Sequence, residues 1–206
     1  MKQIRVLIAD DHTIVRIGLK ALFAGEADLE VVGEVRNGVE AVKTALETHP
    51  DVVIMDLQMP KKDGVEATRE LAEKLPSAAV AILTTYGTSD GIAHALQAGA
   101  RGAMLKTADD ARLVSAIRRI AAGEEYVSPD IRKLLADDPP VPELTARQQE
   151  ILQSLTTGLT NKEIAQQLGI RRDSVEDHIN TLFAKLGAAN RTEAVAIALR
   201  KHLLKI

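Results

Sequence analysis

The sequence predicts an α/β domain, a (βα)5 doubly wound parallel sheet, followed by a C-terminal all-α domain of four helices. Three observations predict it. Strand-like and helix-like runs alternate five times within residues 1–122. Residues 143–206 hold no strand-like run. Between them lies Asp137-Asp138-Pro139-Pro140-Val141-Pro142, whose prolines cannot continue a helix and favour a stiff, extended spacer. A length of 206 residues fits one or two domains of about 150. The boundaries read as 1–122 for the first domain, 123–142 for a linker and 143–206 for the second.

The strand-like runs are Ile4–Ala9, Leu29–Val35, Val52–Met55, Ala79–Leu83 and Gly102–Leu105. Several are continuously apolar, as strands covered on both faces are. The helical stretches between and after them are Ile14–Ala24, Val39–Thr48, Val65–Leu75, Ile92–Ala98 and Asp109–Ala122. Val15, Leu19 and Leu22 recur at helical spacing in the first, and Leu113, Ile117 and Ile120 in the last. Such repeats imply a parallel sheet with helices on both faces. In the second domain Thr145 with Gln148, Thr160 with Glu163, and Asn190 with Glu193 have capping-box spacing. They start helices of about Ala146–Thr156, Asn161–Leu168 and Arg191–His202. A further helix runs from about Arg172 to Leu186, and Gly158, Gly169 and Gly187 punctuate the set. A short helix, a glycine turn and a second helix outline a helix-turn-helix.

Composition removes several function classes. The chain is 46% apolar and 27% charged, as ordinary globular proteins are. No run approaches the roughly 18 apolar residues of a membrane span, and Met1–Arg5 lacks the apolar core of a signal peptide. Without Cys there is no disulfide, thiolate nucleophile or Cys-based zinc site, which suits a cytoplasmic location. The aromatics Phe23, Phe183, Tyr86 and Tyr126 are too few for a typical base-stacking single-strand binder. Residues 1–140 hold 17 basic and 22 acidic side chains, a net of −5. Residues 141–206 hold 9 and 7, a net of +2. An acidic first part and a mildly basic second part point to different partners.

Open sheets of this kind bind ligands beyond the carboxyl ends of their strands. Here those ends carry Asp10-Asp11, Asp56, Thr84-Thr85 and Lys106. Each has a bland role available. Asp10, Asp11 or His12 would serve as a helix cap, Asp56 as a brace for the turn through Met59–Gly64, and Lys106 as a solvated charge. Together they say more. Three carboxylates on one rim repel unless something cationic sits among them. Hard oxygen ligands favour Mg²⁺, which shares phosphate oxygens. Lys106 adds a point charge and Thr84 a hydroxyl. That set suits phosphoryl transfer onto an aspartate.

Ile8-Ala9-Asp10-Asp11-His12, Asp56-Leu57-Gln58-Met59-Pro60 with Asp63-Gly64, Thr84-Thr85-Tyr86 and Leu105-Lys106 resemble the receiver domain of bacterial response regulators. The resemblance implies strand order 2-1-3-4-5 and makes Asp56 the phosphoacceptor. It implies Mg²⁺ held by Asp11, Asp56 and the backbone carbonyl of Gln58, with Asp10 assisting through water. Lys106 would pair with the phosphoryl group, and Thr84 would move toward it. Two positions depart from the family pattern. Ala103 stands where the family usually has the Tyr or Phe of a rotamer switch, and Thr107 where Asp commonly follows the lysine.

In the second domain, Val175, Ile179, Leu182 and Leu186 share one face of the long helix, and Asp173, Glu176, Asp177 and Asn180 the opposite face. That polar face is either solvated or, in a major groove, meets base edges. The motifs Leu144–Leu152, Gly158–Ala165, Ser174-Val175-Glu176-Asp177-His178, Lys185-Leu186-Gly187 and Asn190–Ala194 resemble the LuxR-type DNA-binding domain. With the receiver resemblance they point to the NarL/FixJ class of response regulators. This implies a helix-turn-helix at about 161–180 and contacts to double-stranded DNA from Lys162, Arg171, Arg172, Ser174, Glu176, Asp177, Asn180 and Lys185. Arg171 replaces the usual cap Ser, and Glu176 and Asp177 put acid where the family has Lys or apolar residues.

The expected function is a transcription regulator whose Asp56 is phosphorylated by a sensor histidine kinase, with homodimerisation on activation. The surface around Ile92–Ala122 is the candidate dimer face. Ala103 motivates an alternative, a DNA-binding regulator independent of phosphorylation. A phosphohydrolase is disfavoured, because Gln58 stands where such enzymes place a second Asp as acid/base. The expected chemistry is therefore acceptance and slow self-dephosphorylation, not turnover.

Overall fold

The computed structural model describes residues 3–85, 89–142, 144–201 and 203. Two compact units divide at Pro139 and Pro140. The first contains β1 (Ile4–Ala9), α1 (Thr13–Ala24), β2 (Leu29–Val35), α2 (Gly38–Thr48), β3 (Val52–Met55), α3 (Gly64–Lys74), β4 (Ala79–Thr84), α4 (Ser89–Gln97), β5 (Gly102–Leu105), α5 (Asp110–Ala121), β6 (Tyr126–Val127) and α6 (Pro129–Asp137). All strand pairs are parallel, in the order β2-β1-β3-β4-β5-β6. Every residue of β3 and β4 is buried, as the unbroken apolar runs required.

Alternate side chains feed two cores. On one face Leu7, Ala9, Val53, Met55, Ile82 and Ala103 pack with residues of α2, α3, α4 and α6. On the other Val6, Ile8, Ile54, Leu83 and Met104 pack with α1 and α5. Asn37, Asp63, Asp109 and Ser128 cap α2, α3, α5 and α6 by accepting from the backbone N–H three residues on. Each such cap stabilises its helix by about 1 kcal/mol. Helix α1 has His12 at its N-cap, and the His12 side chain makes no capping bond. Gly64 is set by packing rather than by its dihedral angles. A Cβ there would come within 2.1 Å of the Asp56 carbonyl oxygen.

One expectation needs correction. Within 123–142, read as a linker, residues 126–137 are a strand and a helix of the first unit. The reason is the edge of β5. Its backbone groups would otherwise lack sheet partners, and Tyr126 N–H and Ser128 N–H donate to Arg101 and Ala103 carbonyls at 2.9 and 3.0 Å. Ile131 of α6 then buries completely in the same core as Ala103 and Ile92.

The second unit contains α7 (Ala146–Thr156), α8 (Asn161–Leu168), α9 (Arg172–Leu186) and α10 (Arg191–Arg200). Its core joins Ile151, Leu152, Leu155, Ile164, Val175, Ile179, Leu182, Leu186, Ala194 and Ala198. Thr145 with Gln148 and Thr160 with Glu163 form complete capping boxes. The third is half a box. Asn190 accepts from Glu193 N–H, but the Glu193 carboxylate accepts from Ala189 N–H at 2.7 Å instead of returning to Asn190. Helix α10 ends at Arg200, short of the expected His202, which lies outside the described residues.

Candidate functional site

The sheet positions the acidic site. Ladder bonds continue one residue beyond β1, β3 and β5. Asp10 N–H donates to Val35 carbonyl, Asp56 N–H to Ala9 carbonyl and Lys106 N–H to Thr84 carbonyl, at 3.1, 2.8 and 2.8 Å. These bonds fix Asp10, Asp56 and Lys106 side by side on the carboxyl rim. The side chains then converge. Lys106 Nζ lies 2.6 Å from Asp10 Oδ2 and 2.7 Å from Asp56 Oδ2, with all three side chains nearly excluded from solvent. Asp56 Oδ1 accepts from Leu57 N–H at 2.7 Å, and Asp10 Oδ1 from His12 N–H at 2.8 Å. His12 Nδ1 is 2.7 Å from the exposed Asp11 Oδ1. Arg16, buried in α1, donates to the Asp10 carbonyl at 2.7 Å and holds this corner from behind.

Burial pushes the Asp56 carboxyl above the usual aspartate range. The Lys106 ammonium opposes that shift, and the neighbouring Asp10 charge adds to it. For Lys106 burial works against the charge, but the bonds to Asp10 and Asp56 outweigh it and hold the ammonium above the ordinary lysine value. Asp10, Asp11, His12 and Asp56 each offer a ligand atom, all within 4.8 Å of one another. Three carboxylates share this rim while Lys106 pairs with two of them, which leaves excess negative charge, and hard oxygens suit a small divalent cation. The donor set therefore fits such an ion.

Thr84 is buried at the end of β4, joined to Lys106 through the backbone. Gln58 is exposed in the loop after Asp56. Tyr86, part of the Thr84-Thr85-Tyr86 motif, lies outside the described residues. At the expected switch position Ala103 is fully buried in the α4/α6 core.

In the second unit α8 and α9 are joined through Gly169, whose φ of 63° is the left-handed conformation that glycine accepts readily. Val175, Ile179, Leu182 and Leu186 are buried, so the opposite face of α9 is the free one. Asp173, Asp177 and Asn180 are exposed on it, with Ser174 and Glu176 half-buried. Arg171 and Arg172 are exposed at its start, and Lys162 at the start of α8. Arg172 Nε donates to Glu176 Oε1 at 3.0 Å, and Arg171 Nη2 lies 3.4 Å from Asp173 Oδ2. Asp173 in the first turn and Glu176 just beyond it thus partly neutralise the two arginines. Lys185 is turned inward, with Nζ donating to Gln148 Oε1 at 3.0 Å. Nothing in the linear sequence signals that tether, because its ends are 37 residues apart.

Two family models match this chain. The response regulator receiver domain matches residues 6–118, and the bacterial regulatory proteins of the luxR family match residues 142–198.

The chain belongs to the two-component response regulators.

Its relatives match nearly end to end. Transcriptional regulatory protein LiaR of Bacillus subtilis (strain 168) is 38% identical over 209 residues, covering 98% of this chain and 99% of the relative. Oxygen regulatory protein NreC of Staphylococcus carnosus (strain TM300) is 36% identical over 214 residues, covering 97% and 99%. The crystal structure of ChrA, a response regulator in a heme-sensing two-component system, is 37% identical with a TM-score of 0.60, covering 99% of this chain and all of that one. This response regulator is thus a transcription regulator with an α/β receiver and a helical LuxR-type DNA-binding domain. Among the described residues, no helix is long and apolar enough to cross a membrane.

Proposed function

We propose that Asp56 is the phosphoacceptor of this response regulator, and that its phosphorylation by a sensor histidine kinase controls sequence-specific DNA binding in the cytoplasm. The observation that carries this reading is the buried Asp56 carboxylate, paired with Lys106 on a rim shared with Asp10 and Asp11. Asp56 attacks the phosphorus of a phosphohistidine, one oxygen–phosphorus bond forms and the nitrogen–phosphorus bond breaks. Lys106 transfers its ion pair from carboxylate to phosphoryl oxygen, and the Thr84 hydroxyl donates to the same group. Asp11, Asp56 and the Gln58 carbonyl would hold Mg²⁺, with Asp10 assisting through water. Held there, such an ion would supply positive charge for the phosphoryl oxygens. The acyl phosphate hydrolyses slowly without a dedicated acid/base, since the Gln58 carboxamide does not act as a Brønsted acid or base near neutral pH.

On this reading residues 1–122 hold the receiver chemistry, and the helix-turn-helix is at 161–180. Its second helix, α9, enters a major groove. Glu176 and Asp177 accept from cytosine N4, Asn180 pairs with adenine, and Ser174 bonds either a base or a phosphate. Lys162, Arg171 and Arg172 contact phosphates, and Lys185 joins them on leaving Gln148. Activation pairs two copies through the surface around Ile92–Ala122, placing two reading helices on two half-sites.

Acetyl phosphate with Mg²⁺ should yield one acid-stable, base-labile phosphoryl group per chain, lost in Asp56→Asn. Footprints on genomic fragments should strengthen with the donor. Buried Ala103 supports a second reading, DNA binding without phosphate control. Identical footprints with and without donor, alongside normal labelling of Asp56, would establish it.

A further inference from the structure

Ala103 leaves open how a change at the rim reaches the DNA-binding domain, and the packing around it supplies a route. The side chain of residue 103 points into the core that α4 and α6 share. There Ile131, Ile92 and Ala103 are fully buried, with Val127, Leu134 and Leu135 packed alongside. Strand β6 is pressed close to β5. A Cβ on Gly102 would come within 2.9 Å of the Tyr126 carbonyl oxygen and 2.4 Å of Ile120 Cδ1. A large aromatic side chain at 103 would overpack this filled core, at a cost of about 1–3 kcal/mol, and its neighbours would have to move. Small residue and docked helix are thus one arrangement.

The far end of that helix is tied to α4. Ser89 is the first residue of α4 and is 1% exposed. Its Oγ donates to Oδ2 of Asp138 at 2.6 Å. Asp138 is the C-cap of α6 and directly precedes Pro139-Pro140, where the second unit begins. Ser89 is five residues after Thr84, whose strand end is bonded to Lys106.

We propose that Ser89 and Asp138 are positioning residues that couple the Asp56 site to the segment entering the DNA-binding domain. The inference rests on the phosphorylation reading above. In the resting state the Ser89–Asp138 bond holds the end of α6 against α4. When a phosphoryl group draws the Thr84 hydroxyl toward Asp56 and takes over the Lys106 ion pair from the carboxylate, the start of α4 shifts, the bond opens and the last turn of α6 is released. The ligand shifts a population between two packings of α6. A helix end, rather than an aromatic rotamer, reports the state of the site.

The test uses the ¹⁵N-labelled full chain with beryllofluoride and Mg²⁺. In the wild type, amides of Leu57 and Lys106 should shift, and so should those of Ile131–Asp138. In Ser89→Ala and Asp138→Ala the Leu57 and Lys106 shifts should persist while the α6 shifts are lost. Without beryllofluoride, the α6 amides of both variants should already sit near their activated wild-type positions. A merely structural bond would not remove the response to beryllofluoride. Wild-type α6 amides that stay still while Leu57 and Lys106 move would overturn the coupling alone. So would α6 shifts in both variants that match the wild type. Unmoved Leu57 and Lys106 amides in the wild type would overturn the phosphorylation reading, and the coupling with it.

Discussion

Lys106 is the residue on which the acidic rim depends. It bridges Asp10 and Asp56, whose charges would otherwise face each other across a buried gap. Removing one member of such a set strands the others and costs several kcal/mol. Lys106→Ala should therefore destabilise the first unit by about 3 kcal/mol near neutral pH in divalent-free buffer, measured by urea unfolding. The pH dependence has a definite sign. A carboxyl whose folded pKa is raised binds its proton more readily folded than unfolded, so stability falls as pH rises through that range. The defect should shrink on acidification, as Asp56 takes a proton and the repulsion ends. A defect of equal size at pH 5 and pH 8 would mean that lost packing, not charge, is the cause. On α9, Glu176 both pairs with Arg172 and faces outward. Glu176→Lys should raise affinity for random DNA and steepen its log–log salt dependence by about one unit. Unchanged gel-shift affinity would remove α9 from the groove.

At the scale of elements, local rules held where the signal was local. The Thr145 and Thr160 boxes are complete, whereas at the same spacing Asn190 forms half a box because the Glu193 carboxylate accepts from Ala189 N–H. Thr160→Ala should cost the second unit about 1 kcal/mol in thermal or urea unfolding. The Glu163 carboxyl is held below its usual range, first by the Thr160 backbone N–H and then by the Thr160 hydroxyl. A depressed carboxyl contributes stability that is lost as pH falls through its folded value. The difference between wild type and Thr160→Ala should therefore narrow in acid. Strand β6 shows the opposite case. Two residues, Tyr126 and Val127, carry no readable period. They are a strand because β5 offers an open edge, and α6 follows because Ser128 caps it and Ile131 finds a cavity.

For the molecule as a whole, the consequence is a first unit that extends to Pro139 rather than stopping near Ala122. Fully burying one isoleucine stabilises a fold by about 2 kcal/mol. A fragment of residues 1–139 should unfold in one cooperative transition. A fragment of residues 1–122 should be less stable by at least about 2 kcal/mol, with the β5 edge and the Ile92–Ala103 face uncovered. Equal urea midpoints for the two fragments would show that β6 and α6 add nothing to the receiver fold.

The sequence by itself determined the two units, the five β-α repeats and the rim on which Asp10, Asp11, Asp56, Thr84 and Lys106 gather. Parallel connections leave little choice, because every strand must then end on the same side. It also determined the buried stripe of α9, through the helical period. Only the tertiary structure decided which acids Lys106 would bridge, that Gln148 would hold Lys185, and that the supposed spacer would supply a strand and a helix. Those outcomes depend on an unpaired sheet edge, a cavity beside a small side chain, and polar atoms brought together from distant parts of the chain, none of which leaves a local pattern to read.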